Sequence, residues 1–331
     1  MTDPALLLLQ LAGSVALLLW GVRMVQTGVQ RAFGARLRTL LGTALRSTAT
    51  SFLAGLGVTA ALQSSTATGL MVTGFAAGGL VDLVPALAVM LGANVGTTLI
   101  VQLLSFDLSA VTPALILLGV LMFRRGQASR THDLGRVFIG LGLMLLALHQ
   151  LLDLVTPFET APGLRTMLAA IARQPWLDVA LAAGLTWAAH SSVAVVLLVM
   201  SLAAKGVVPP EAAFALVLGA NLGTAINPLL ETTEGKDPAA RRVPAGNLGT
   251  RLVGVAIGLA LLPKIAAWLL VVAPNPARAV ADLHLGFNLA VAALFLPVLP
   301  YYAVLLRRLL PAQVDAPDPS RPVYLDAAAR E

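Results

Sequence analysis

Apolar runs of roughly 18 residues or more recur along the whole chain, from Ala5–Val22 near the start to Val280–Leu306 near the end. Each is long enough to cross a bilayer as a helix, and none alternates as the strands of a membrane barrel do. The chain therefore reads as an all-α polytopic membrane protein. Its charged fraction of 11% agrees, since soluble domains carry about 25%. A net charge of +6 would suit a nucleic-acid binder, but the basic residues cluster beside apolar segments, as the positive-inside rule expects. No nucleic-acid partner is expected. There is no cysteine, which excludes disulfides and thiolate metal sites. The first apolar run follows Asp3 and has no basic leader or cleavage site, so it reads as a membrane helix and not a removed signal.

The chain also repeats itself. Displaced by 127 positions, Ser64-Ser65 falls on Ser191-Ser192, and "LGANVGT" (Leu91–Thr97) falls on "LGANLGT" (Leu218–Thr224). Over residues 38–101 against 165–228, 24 of 64 positions are identical without a gap. Chance could match leucines and alanines, but hardly paired serines, the Gly-Ala-Asn motif and the spacing between them. Internal repeats of this kind are common in secondary transporters.

Each copy has one layout. A long helix (Ala5 to about Gln30; Leu134–Leu154) leads to a short amphipathic helix, with Phe33, Leu37, Leu40, Leu41 and Ala44 in one stripe and Leu164, Met167, Leu168 and Ile171 in the other. Next comes a pair of short apolar arms around the serines: Ser51–Leu62 with Ala67–Gly78, then Leu177–Ala189 with Val193–Ala204. An arm of about 12 residues spans about 18 Å as helix, too short for about 30 Å of hydrocarbon but enough to reach its middle. Two re-entrant hairpins are the preferred reading, because intramembrane breaks are tolerated where protein or water lines them. A single tilted helix, its serines bonded to its own carbonyls, is the alternative. Helices over Leu83–Leu104 and Glu211–Leu230 carry the Asn motifs, and further spans are expected at Ala110–Phe123, Val243–Val272 and Val280–Leu306.

An odd number of crossings per copy makes the second copy inverted. The arginine-rich ends (Arg31, Arg36, Arg38, Arg46; Arg124, Arg125, Arg130, Arg136; Lys236, Arg241, Arg242; Arg307, Arg308) then share one side, and Arg165, Arg173, Lys205 and Arg278 take the other. The richer side is cytoplasmic, which puts the N-terminus outside and the C-terminus inside a plasma or inner membrane. The expected organisation is repeat 1 over 1–130, inverted repeat 2 over 131–275, an additional transmembrane helix over 276–310 and a disordered cytoplasmic tail over 311–331.

At a hairpin tip the first N–H groups of the second arm lack partners, and with the positive end of the helix dipole they attract an anion. Ser64, Ser65 and Thr66, with Ser191 and Ser192, add donors there. Asn94 and Thr97, with Asn221 and Thr224, supply neutral oxygens. Gly92 and Gly96 permit close backbone approach or a break in the helix, and unwound carbonyls suit sodium. No carboxylate lies in either motif, which disfavours a proton relay or a divalent-metal cage.

"QSST" with "GANVGTT", repeated as "HSSV" and "GANLGTA", resembles the type II sodium–phosphate cotransporter family and its bacterial relatives. "WGVRMVQTGV", "LRTLLG" and "HLGFN" (His284–Asn288) are similar to it too. The resemblance covers about residues 5 to 305. It implies sodium-coupled symport of inorganic phosphate, with no cofactor beyond the coupling ions. It places both serine motifs at the substrate and ion sites. With the neutral oxygens added, the candidate substrate residues are Ser64, Ser65, Thr66, Ser191, Ser192, Asn94, Asn221, Thr97 and Thr224, and the candidate sodium residues are Gln63, His190, Asn94, Asn221 and Thr68. The family motif usually reads Gln-Ser-Ser-Ser; here Thr66 keeps the last hydroxyl, while His190 and Val193 change the second half-site. Many bacterial members continue into a cytosolic helical domain related to a phosphate-signalling regulator. The residues after Leu310 are too few for one, so this chain is expected to lack it.

His190 is a substrate contact, a pH switch or a packed imidazole, with function preferred because it stands at a repeated polar tip. Arg251 lies inside an apolar run; it draws the anion inward, pairs with Glu231 or snorkels. His284 and Asn288, one helical turn apart, are placed to cap a neighbouring helix or line the pathway. Arg23 is expected to snorkel. Trp20, Trp187 and Trp268 suit interface anchoring or packing. Two other classes compete: a passive channel or exporter for phosphate or a similar small anion, and an intramembrane serine hydrolase. The last lacks a Gly-x-Ser-x-Gly elbow and would need Ser64 close to His190.

Overall fold

The structure, a computed structural model, describes residues 4–45, 47–106, 109–125, 129–155, 174–232 and 237–313. Among these residues the chain is helical, without strands, and six helices are long and apolar enough to cross a membrane. The second amphipathic stripe and residues 314–331 of the expected tail lie outside the described residues, as do Arg46, Arg165, Arg173 and Lys236.

The first copy begins with α1 (Pro4–Ala44), which at 1.5 Å per residue is about 60 Å long. Two separate helices were expected here. No proline and no paired glycines interrupt the sequence between Gln30 and Phe33, so the helix continues through the junction. α2 (Thr48–Leu62) and α3 (Ser65–Ala77) form the first short pair, and α4 (Leu83–Leu104) carries the first Asn motif. After a 3-10 turn at Ser109–Val111 come α5 (Thr112–Arg125) and α6 (Ser129–Val155). The second copy supplies α7 (Pro175–Ala189), α8 (Ser192–Ala204) and α9 (Pro210–Glu231). Then come α10 (Arg242–Val272), α11 (Pro276–Phe295) and α12 (Leu299–Leu309). The span expected over Val280–Leu306 lies within one apolar helical run, Pro276–Leu309, long enough to cross a membrane; a 3-10 turn at Leu296–Val298, where Pro297 and Pro300 remove amide donors, interrupts its α-helical bonding.

Close helix pairs rest on glycine. Gly21 lies against the Gly140 carbonyl and Gly28 against the Asp133 carbonyl, which sets α1 directly on α6. Gly92 and Gly96 face the carbonyls of Phe52 and Leu56, so α2 runs parallel to α4 at backbone distance. Gly219 and Gly223 repeat this against Val179 and Ala183, joining α7 to α9. The glycines thus serve close approach: α4 and α9 are continuous through both motifs and expose no unwound carbonyls. These two are also the most enclosed of the six long helices, 83% and 72% buried over their most apolar stretch against 28–39% for the others. The core of the protein is therefore the pair of Asn-motif helices, with the short serine-bearing helices laid along them.

Candidate functional site

Each short pair breaks at the repeated polar stretch. α2 ends in Gln63, which adopts the left-handed conformation at φ 53°. Ser64 then turns extended and caps α3, its Oγ accepting from Ala67 N at 3.1 Å. In the second copy His190 takes the same φ of 53°, and Ser191 caps α8 by accepting from Ala194 N at 3.2 Å. Gln63 and His190 are the only described non-glycine residues with positive φ. A non-glycine residue held there signals a constrained turn. The alternative of one unbroken helix through each serine motif is thereby replaced by a helix–turn–helix. Capping leaves the N–H groups of Ser65 and Thr66, and of Ser192 and Val193, without intrahelical carbonyls.

The two turns meet. A narrow crevice of about 10 Å³ is lined by Gln63, Ser64, Ser65 and Thr66 from one and His190, Ser191, Ser192 and Val193 from the other, with Gln26, Thr97 and Thr224 beside them. Two helix N-termini from equivalent positions of the repeat thus face one small polar space. The Oγ of Ser65 and the Oε1 of Gln63 are buried without hydrogen-bond partners, which leaves them available to a ligand. Thr97 and Thr224 return their hydroxyls to the carbonyls of Ala93 and Ala220 at 2.9 and 3.1 Å. His190 is the one titratable side chain in the crevice lining.

The copies differ inside. Thr59 donates to Thr68 at 2.8 Å and braces α2 against α3. Position 195, which matches Thr68, is valine, and Thr186 is left with a buried, unpartnered hydroxyl. Thr68 therefore sits behind the first turn, outside the crevice lining.

Both asparagines lie deeper. Asn94 donates to Asn247 Oδ1 at 2.8 Å, and its own Oδ1 is buried without a partner. Asn221 Oδ1 accepts from Asn288 Nδ2 at 2.9 Å and from Arg251 Nη1. Neither asparagine lines the crevice. Arg251 is only 2% exposed and neither snorkels nor pairs with Glu231. α10 points it at Asn221, and its buried charge is met by amide oxygen. Asn288 also donates to the His284 carbonyl within α11 at 2.7 Å; Asn288 ties α11 to α9 through Asn221, while the His284 ring is buried with its Nδ1 unpartnered. Asn247 was not singled out in the sequence; its place one turn before Arg251 was the available signal.

His190 is not a packed ring: its side chain is 63% exposed, and its Nδ1 lies 3.7 Å from Glu231 Oε1 at the end of α9. The sequence motifs hold no carboxylate, yet the parallel packing of α7 on α9 brings one to the second turn. Gln26 was likewise not singled out; its Nε2 donates to the Gln63 carbonyl at 3.0 Å, holding α1 to the first turn. Arg23 is one turn away from it, exposed beside the same opening. Ser64 and His190 do share the crevice, the proximity a hydrolase would require. Among the described residues, however, no serine hydroxyl bonds the imidazole.

These features define a polytopic helical membrane protein with a polar crevice between two serine-capped helix ends. The chain belongs to the Na+/Pi-cotransporter family, whose model matches residues 17–153 and again 159–296. It is 40% identical over 324 residues to the protein named "Putative inorganic phosphate export protein YjbB" of Escherichia coli (strain K12), and equally to that of Shigella flexneri. Those alignments cover 98% of this chain but 60% of the relatives, so the chain spans about 60% of their length. It is 28% identical over 263 residues to "Uncharacterized protein YqeW" of Bacillus subtilis (strain 168), covering 80% of this chain and 85% of that one. No solved structure matches.

Proposed function

We propose that this chain carries inorganic phosphate across the membrane coupled to sodium, holding the anion in the crevice between the two serine-capped turns. The observation that carries the reading is the convergence of two helix N-termini, with the hydroxyls of Ser64, Ser65, Thr66, Ser191 and Ser192, on one space. Such ends stabilise an anion through unpaired N–H groups and the helix dipole without burying a full positive charge. The crevice is then an anion site at a repeat interface, as in transporters that work by alternating access.

On this reading α2–α3 and α7–α8 are re-entrant hairpins. Helices of 15 and 13 residues reach about 22 and 20 Å, short of about 30 Å of hydrocarbon. The copies are inverted repeats, with the N-terminus outside and the C-terminus cytoplasmic. The family model matches two stretches, 17–153 and 159–296, which supports two copies, with their junction between 153 and 159 and not at the expected 130. Sodium would be held by neutral oxygens, for which the unpartnered Gln63 Oε1 and Asn94 Oδ1 are placed. Asn221, Thr68 and His190 belong to the second rank, their polar atoms being engaged or exposed. Arg251, buried without a carboxylate, would bias the core toward an anion from a distance.

Export is a second reading, favoured by the printed name of the YjbB relatives. Symport and export differ in the gradient that drives the carrier and need no different crevice.

The test is labelled-phosphate flux in vesicles holding the purified protein, with the sodium gradient imposed in either direction. Flux that follows sodium and is lost in Ser64→Ala and Ser191→Ala supports the reading. Flux indifferent to sodium supports a passive pathway, and unchanged flux in both variants removes the serines from the site.

A further inference from the structure

Three cavities run end to end along α1. The serine crevice shares Gln26, His190 and Ser191 with a wider cavity of about 600 Å³. That cavity shares Trp20 and Arg23 with a third, of about 400 Å³, which reaches Arg136 near the start of α6. An open route thus leads from Arg136 past Arg23 to the crevice, and Arg23 stands where the outer two cavities join.

Arg23 is exposed and makes no side-chain hydrogen bond or ion pair among the described residues. It is not at a helix end. Its neighbour Gly21 packs on Gly140, near the middle of α6, so Arg23 lies midway along the paired α1 and α6, within an apolar span. A bare guanidinium at that depth is costly in hydrocarbon and is found where a water-filled cavity receives it. Arg136 is paired with Asp133 at 3.0 Å, and Glu231 lies 3.7 Å from the His190 ring. Arg23 is the cation left without a counter-charge, and its planar fork suits a tetrahedral oxyanion.

We propose that Arg23 forms an outer docking subsite for phosphate, one step before the serine crevice, with Glu231 as the opposing charge that limits how tightly the anion rests there. This rests on the crevice being a phosphate site. Gln26 and His190, which line both cavities, mark the point of transfer. The outer site concentrates anions electrostatically and the inner one binds them by helix ends, so the two respond differently to salt.

The test is initial phosphate flux against phosphate concentration, at low and high ionic strength, in vesicles holding the full chain. Wild type is compared with Arg23→Gln, Arg23→Lys, Glu231→Gln and Ser64→Ala, and sodium-free binding of labelled phosphate to the detergent-solubilised proteins is read alongside. Arg23→Gln should raise half-saturation about three- to fivefold. Glu231→Gln should lower it, and Arg23→Lys should recover part of the loss. High salt should raise half-saturation in wild type more than in Arg23→Gln. Half-saturation and binding unmoved by both charge removals, while Ser64→Ala weakens them, would overturn the outer subsite and leave the crevice reading standing. If wild type neither moves nor binds phosphate, both fall.

Discussion

Arg251 donates a hydrogen bond to Asn221 Oδ1 from the centre of the helix bundle, with amide oxygen as its acceptor and no carboxylate. Burying an unpaired charge costs stability, and apolar replacements of buried charges are often neutral or stabilising. Asn221 Oδ1 would still accept from Asn288 after the arginine is removed. Arg251→Met is therefore expected to leave the thermal midpoint in detergent unchanged or higher. The same variant should raise half-saturating phosphate. A lowered midpoint with unchanged phosphate dependence would make Arg251 a structural brace.

The left-over hydroxyl of Thr186 offers a repair. Val195→Thr places a partner where Thr68 stands in the first copy, and should stabilise the protein by about 1 kcal/mol. The gain should vanish when Thr186 is replaced by valine. Equilibrium unfolding of the single and double variants measures the coupling.

Glycines at the helix contacts divide into two kinds. A Cβ at Gly92 or Gly219 would strike the Phe52 or Val179 carbonyl, whereas a Cβ at Gly57 or Gly184 meets nothing within 4 Å. Gly92→Ala and Gly219→Ala should each cost about 1–3 kcal/mol. Gly57→Ala and Gly184→Ala should gain up to about 1 kcal/mol from helix propensity. Melting of all four in one detergent tests the division.

Asn94 and Asn221 are equivalent in the repeat but unequal in the fold, since only Asn94 keeps a buried, unpartnered Oδ1. Asn94→Ala should raise the sodium concentration for half-maximal flux more than the phosphate concentration, and more than Asn221→Ala does. Sodium titrations at saturating phosphate decide this; equal effects would remove the distinction.

Outside the membrane, the Asp237 carboxylate accepts from Ala239 N at 2.9 Å and Gln313 N at 3.1 Å. The Ala239 bond first, then the Gln313 bond and the nearby charge of Arg242, hold its pKa below the usual carboxylate value. A depressed folded pKa gives a contribution present above the unfolded value and lost as pH falls through the folded one. Exchange of the Gln313 amide, corrected for intrinsic rates, should therefore speed up in acid. In Asp237→Asn it should be less dependent on pH.

The sequence by itself determined the membrane class, the repeat and the break points. Hydrophobic length and a displaced copy of "SS" and "GAN" are local properties, and the arms around Ser64 and Ser191 end within three residues of where they were placed. Helix continuity at Gln30–Phe33 was missed because amphipathic character changes there while helical propensity does not. What only tertiary structure decided is which polar groups meet. Thr97 and Thr224 reach the crevice, while Asn94 and Asn221, one turn earlier on the same helices, point into the core. Glu231 arrives beside His190, and Arg251 turns to Asn221 instead. Those pairings depend on how helices far apart in sequence cross and rotate against one another. Glycine contacts and side-chain packing set those angles, and a one-dimensional pattern does not encode them residue by residue.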